Sequence, residues 1–286
     1  MTGRPPRPDR SEWLYESHFG LAARPFGEAT DPSGFVPLPS RESISRRLRY
    51  GLEHGQGPAL LFGPAGSGKT RLARSLAWEL GGASAHLAFP AMPAADLLTF
   101  LADELDPPGQ GPGPSATAPN LGASVRRLRG VLSAAAGRGV RPLLVVDEAH
   151  LIDDPLTFEA LRLLLNFETG GVPDLSMLLV GGAEVLLRLP AGLLDRLTAR
   201  CLLGPLTEAE SASYVDGRLR TAGATATLFD SEALVALHHA AEGLPRRLNR
   251  LADLALLVAY AEDRDRVDAR AVAIAAREAM PDHLAA

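Results

Sequence analysis

Hydrophobic residues in the first two thirds of the chain gather in short runs: Pro58–Phe62, Ala85–Phe89 with His86 inside it, Leu143–Asp147, Ser176–Gly181, and Ala199–Leu203 with Arg200 inside it. Runs of this length without polar alternation predict parallel strands buried on both faces. Between them, Asp96–Leu105, Ser124–Ala136 and Leu156–Glu168 repeat apolar residues three and four apart, the spacing of one helix face. Strands alternating with helices predict a three-layer α/β/α domain around a parallel sheet.

From Pro205 onward the period is helical only. Thr207-Glu208-Ala209-Glu210 reads as a capping box opening a helix to about Ala222. Asp230 can cap a second helix, Pro245 can begin a third and Asp268 can cap a fourth. The expected organisation is a Pro/Arg-rich disordered tail at 1–10, a nucleotide-type α/β domain at 11–204 and an all-helical lid at 205–286. Within the α/β domain, the Pro/Gly-rich stretch 106–120 has no periodicity and is expected to be a mobile loop.

Of the 29 basic residues, Lys69 is the only lysine. A chain that otherwise uses arginine places an ammonium where a compact charge on a flexible stem is needed. That place is Gly63-Pro64-Ala65-Gly66-Ser67-Gly68-Lys69-Thr70, the spacing of a phosphate-binding loop, preceded by a strand and followed by a helix from Arg71. In such a loop the backbone N–H groups and the helix N-terminus face the phosphates, the lysine reaches the β- and γ-phosphates, and the threonine ligates magnesium. The candidate nucleotide contacts therefore run from Gly63 to Arg71, and the implied ligands are ATP and Mg²⁺.

The apolar run Leu143–Val146 ends in Asp147-Glu148, two carboxylates where a buried parallel strand opens on a ligand site. Asp147 is the expected magnesium residue, with Thr70, and Glu148 the expected residue that polarises the attacking water. The alternative is two carboxylates capping the next helix. Asp147-Glu148-Ala149-His150 also spells the box of one helicase class, but such helicases need two nucleotide-type domains, and a single phosphate loop in 286 residues argues against that reading. His150 is read as a packing or hydrogen-bonding residue.

Composition narrows the rest. The chain is 46% hydrophobic and 22% charged, ordinary for a protein with a full core. No apolar stretch reaches the roughly 18 residues of a membrane span, and the start lacks an apolar signal region, so a cytoplasmic location is expected. The single Cys201 lies in an apolar segment and is expected to be a buried structural thiol. Net charge is −5, and from Pro205 onward 9 Arg face 13 Asp and Glu, which disfavours a nucleic-acid footprint there. The clusters Arg46, Arg47, Arg49 and Arg126, Arg127, Arg129 are read as solvated helix faces.

Beyond the two nucleotide motifs, the chain carries His18-Phe19-Gly20-Leu21, Arg24-Pro25-Phe26, Leu48–Leu52, Leu161–Leu164, Asn166–Thr169, Leu179-Val180-Gly181 and Leu244-Pro245-Arg246 with Leu248-Asn249. With these segments, from about Tyr15 to Ala279, it resembles the ExeA/GspA-type AAA+ ATPases of general secretion, akin to the TniB/MuB ATPases of transposition. The resemblance implies a P-loop AAA+ domain with a C-terminal helical lid. It places Phe19 and Pro25-Phe26 near the adenine, although both aromatics also suit a core. It makes Arg196 the arginine-finger candidate, with Arg200 next, and Arg246 the sensor-2 arginine. A surface ion pair is the alternative for each arginine. A finger offered to a neighbour's γ-phosphate can be worth ~10³ to 10⁵ in rate, so a homo-oligomer is implied.

The chain departs from that family at Gly182, where members carry a polar sensor-1 side chain, which implies slow hydrolysis. It shows neither the transmembrane helix nor the C-terminal peptidoglycan-binding extension of secretion members, which implies a relative serving another system. The expected function is an ATP-hydrolysing AAA+ assembly that remodels or recruits a protein partner. The alternatives are an ATP-gated switch with little hydrolysis and an ATP-dependent DNA-binding regulator.

Overall fold

The computed structural model describes residues 15–27, 36–54, 57–106 and 120–279. The expected tail at 1–10 and nearly all of the expected loop at 106–120 lie outside these residues. Two compact units emerge, Pro39–Gly204 and a second made of the chain up to Leu38 together with the chain from Pro205.

The first unit holds α2 (Pro39–His54), β1 (Ala59–Phe62), α3 (Lys69–Leu80), β2 (Ser84–Leu87), α4 (Ala94–Leu105), α5 (Leu121–Gly137), β3 (Leu143–Val146), α6 (Pro155–Leu164), β6 (Ser176–Gly181), the single-turn helices α7 (Val185–Arg188) and α8 (Ala191–Leu194), and β7 (Ala199–Leu202). Its sheet is parallel throughout, in the order β2-β3-β6-β1-β7. Every residue of β3 and β6 is buried, as the unbroken apolar runs require of strands covered on both faces. Leu97, Leu128 and Leu161, from α4, α5 and α6, share one core with Leu60, Leu144, Met177 and Leu179 of the sheet. Helices α2 and α3 bury Leu48, Leu52, Leu72 and Leu76 on the other side.

Strand register decides what meets at the carboxyl edge. Phe62 lies level with Gly181 and Leu202, and Val146 with Leu179. The loops that follow β1, β3, β6 and β7 therefore open on one edge of the sheet, the position where α/β folds bind ligands.

Two elements differ from expectation. Strand β2 stops at Leu87, leaving Phe89 exposed before Pro90. Helix α6 stops at Leu164 rather than Glu168, its last turn closing through Leu165 N–H to Arg162 O and Asn166 N–H to Leu163 O. A small antiparallel hairpin follows, β4 (Glu168–Thr169) with β5 (Val172–Pro173), turning on Gly170-Gly171.

The second unit contains α1 (Tyr15–His18), α9 (Glu208–Thr221), α10 (Ser231–Ala241), α11 (Pro245–Ala261) and α12 (Ala269–Ala279). Its caps are the ones legible in the sequence. Thr207 and Glu210 form a reciprocal capping box, Asp230 accepts from Ala233 N–H at 2.7 Å, Pro245 is the first residue of α11, and Asp268 accepts from Ala271 N–H at 2.8 Å.

The N-terminal segment belongs to this helical unit and not to the α/β domain, which corrects the expected boundary at residue 11. Tyr15, Phe19, Leu21 and Phe26 join the core built by α9 to α12. The Tyr15 hydroxyl and the Arg24 guanidinium both donate to the Asp253 carboxylate of α11. Arg218 of α9, itself buried, donates to the carbonyls of Pro25 and Gly27 at 2.8 and 3.0 Å. Among the described residues, no helix is long and apolar enough to cross a membrane.

Candidate active site

The loop after β1 is built on close backbone approaches. Gly63 donates to Gly181 O at 3.2 Å, and a Cβ on Gly63 would fall 2.3 Å from the Leu203 carbonyl oxygen, so only glycine fits. The loop then curls through Gly66 and Gly68 at φ 79 and 94, left-handed values that lead into α3. Lys69 is buried at the first turn of α3, and its Nζ donates to Gly63 O at 3.0 Å and Pro64 O at 2.9 Å. Those two bonds keep the ammonium inside the curl.

Thr70 stands beside Asp147. Its hydroxyl helps stabilise the aspartate carboxylate, which is 4% exposed and accepts the Glu148 N–H at 3.0 Å. Burial alone would raise this carboxyl. Hydrogen bonds from His86, Thr70 and the Glu148 N–H outweigh it and hold Asp147 below the usual carboxylate range.

His86 was not singled out in the sequence, yet it is part of this site. It sits on β2 level with Val145 of β3, and its Nε2 lies 3.3 Å from Asp147 Oδ2. Arg74 Nε donates to its Nδ1 at 3.4 Å, so the ring proton is placed on Nε2, facing the carboxylate. The signal available was a polar residue inside an otherwise apolar strand.

Glu148 follows at φ 50, a left-handed conformation that a side-chain-bearing residue rarely adopts. Its half-exposed carboxylate lies by His150, whose Nδ1 is 3.5 Å from Glu148 Oε2. The same Nδ1 accepts the Gly182 N–H at 3.2 Å. His150 thus has the hydrogen-bonding role expected of it, and it ties Gly182, the residue after β6, to the Glu148 turn.

This donor set fits a nucleotide phosphate with its magnesium. Ser67 Oγ is buried inside the loop without a hydrogen-bond partner, an orphan that a phosphate oxygen would satisfy. The Thr70 hydroxyl and Asp147 carboxylate are the hard oxygen donors that Mg²⁺ takes.

Arg196 is exposed before β7 and donates from Nη1 to Asn166 Oδ1 at 2.8 Å. Arg200 donates to Leu194 O at 2.7 Å, closing the end of α8. Arg246 is exposed in the first turn of α11 with no ion-pair partner among the described residues, whereas its neighbour Arg247 pairs with Glu242. Phe19 is in the core of the helical unit. Cys201 is buried, and burial pushes its thiol up, as expected of a structural cysteine.

Comparison with known proteins agrees with this geometry. A family model described as an AAA domain matches residues 52–189. The chain is 33% identical over 272 residues to general secretion pathway protein A of Aeromonas hydrophila, spanning 93% of this chain and 48% of that protein. It therefore covers about half the length of the curated relative it matches.

Among solved structures, the fold is similar to the Aeropyrum pernix ORC2 protein in ADPNP-ADP complexes. The TM-score is 0.65 and the identity 18%, covering 91% of this chain and 73% of that one. It is also similar to the Aeropyrum pernix ORC1 protein in complex with DNA, with TM-score 0.62 and 20% identity, covering 86% and 66%. At these identities the likeness is one of fold.

Proposed function

Taking as premise that this chain belongs to the AAA+ ATPase family, among its ExeA/GspA-type members, we propose that it hydrolyses Mg-ATP at sites shared between subunits and uses the cycle to remodel or recruit a protein partner. The observation that carries this reading is the curl of the phosphate loop around the buried Lys69 ammonium, with the loop's Gly63 bonded to Gly181 of the strand next to the one that ends in Asp147 and Glu148. Lys69 and the loop N–H groups bind the β- and γ-phosphates. Mg²⁺ held at Thr70 and Asp147 would neutralise charge on the phosphates. Glu148 orients and polarises the attacking water, and His86 keeps Asp147 turned into the site.

Arg196 cannot complete its own site. It precedes β7 at the amino end of the sheet, level with the turn before β1, whereas the phosphate loop leaves β1 at the carboxyl end. A strand's length separates them, so the arginine serves a neighbouring subunit. Arg246, at the start of α11 and without an ion-pair partner among the described residues, is assigned to sensing the γ-phosphate, and Phe19 to the segment bordering the adenine.

Less supports a DNA-binding role. The Arg126–Arg129 cluster is partly neutralised, with Arg127 paired to Asp103 and Asp106 and Arg129 lying over the Phe167 ring. Equilibrium binding of a fluorescent ATP analogue with and without Mg²⁺, followed by light scattering of the nucleotide-loaded chain, tests the proposal. Magnesium-dependent binding with a rise in mass supports it. Binding indifferent to magnesium, or a mass unchanged by nucleotide, opposes it.

A further inference from the structure

We propose that Asn166 is the positioning residue of Arg196, holding its guanidinium extended and fully charged for the nucleotide of a second copy of the chain. The inference rests on the composite-site reading above. Three observations carry it.

The backbone of Arg196 is fixed. A Cβ at Gly57 would lie 1.9 Å from the Arg196 carbonyl oxygen, Thr198 N–H donates to Pro58 O at 2.9 Å, and Arg196 N–H donates to Leu193 O at 3.2 Å. The arginine is thereby clamped to the turn that enters β1. The distance from that turn to Gly63, at ~3.3 Å per residue, is on the order of 20 Å, which leaves Arg196 far from the phosphate loop of the same copy.

The partner of the guanidinium is an amide. Arg24, Arg49, Arg162 and Arg188 pair with the carboxylates of Asp253, Glu79, Glu159 and Asp153. Arg196 instead donates to a neutral Asn166 oxygen at 2.8 Å. A carboxylate would orient the guanidinium and cancel its charge. An amide orients it and leaves the charge for a phosphate.

Asn166 is itself held. Its N–H donates to Leu163 O at 3.0 Å in the closing turn of α6, and the next residue, Phe167, donates to Leu164 O at 3.0 Å with its ring 5.8 Å from the Arg129 guanidinium. The early end of α6 is thus what brings the amide to Arg196.

The test is steady-state ATP turnover of the full chain, at concentrations where it assembles, for the native protein, Arg196→Ala, Asn166→Ala and Asn166→Asp. We expect Asn166→Asp to lower kcat at least about tenfold with the KM for ATP nearly unchanged, and Asn166→Ala to lower it less. Mixing Asn166→Asp with Lys69→Ala is the decisive arm. The Lys69→Ala subunits carry an intact Asn166–Arg196 pair and the Asn166→Asp subunits an intact nucleotide site, so turnover should reappear in the mixture, which a misfolded variant could not produce. Loss in Arg196→Ala with native rates in both Asn166 variants overturns the assignment and leaves the composite site standing. Native turnover in Arg196→Ala overturns both, and a mixture as silent as its components shows that the pair does not act across subunits.

Discussion

The hydroxyl of Thr70 lies near enough to the carboxylate of Asp147 to help hold it ionised, so the first turn of α3 and the end of β3 bring two magnesium-type oxygens together. Neither residue can supply the site alone. Asp147→Asn and Thr70→Ala should each remove most of the gain in ATP affinity that Mg²⁺ gives the native chain. A loss of ~10- to 100-fold is expected, in line with disturbed metal shells. Calorimetric titration with ATP in magnesium and in chelator measures it, and the magnesium-free affinity should change little.

Gly182 leaves the sensor-1 position without a side chain, and we expect this to limit turnover. A Cβ there would meet only the flexible end of the Glu184 side chain, so a larger residue fits. Gly182→Ser supplies a hydroxyl beside His150 and Glu148. One additional hydrogen bond of ~1 kcal/mol in the transition state would raise turnover about fivefold. An unchanged or lower kcat in a folded variant would remove Gly182 as a limit on turnover.

The helical unit depends on a buried cation. Arg218→Met should leave the Pro25 and Gly27 carbonyls without their donors and lower stability by ~2 kcal/mol, read from urea unfolding followed by tryptophan-independent circular dichroism. Equal midpoints for native and variant protein would mean that the N-terminal segment adds nothing to this core.

Asp268 gives the unit an acid-sensitive cap. The Ala271 N–H, and with it Arg264 and Arg270, hold its carboxyl below the ordinary value, more than offsetting burial. A folded value depressed below the unfolded one stabilises the protein above the ordinary carboxylate range, and that contribution disappears as pH falls through the folded value. Asp268→Ala should therefore cost ~1 kcal/mol near neutral pH and progressively less below about pH 4. Melting temperatures of both proteins across that range should converge at the acid end.

Much of this was legible in the sequence because it is local. The unbroken run Ser176–Gly181 is strand β6 from end to end, and the caps at Thr207, Asp230 and Asp268 lie within a few residues of the N–H groups they satisfy. What the sequence hid is non-local. Tyr15, Phe19 and Phe26 advertise burial, but their core is chosen by Asp253, Arg218 and Phe229, nearly 200 or more residues away along the chain. His86 reaches Asp147 only because β2 pairs with β3, and Asn166 reaches Arg196 only because α6 ends early. The hairpin at Glu168–Pro173 was missed because the apolar spacing of α6 runs on through Phe167, while Gly170-Gly171 turns the chain back.

The composite site is tested most directly by magnesium-dependent ATP turnover per subunit across a range of protein concentrations, for the native chain, Glu148→Gln and Arg196→Ala. The account predicts turnover that rises with concentration in the native chain and collapses in both variants while ATP still binds. Turnover per subunit that is independent of concentration, or that survives in Arg196→Ala, would contradict it.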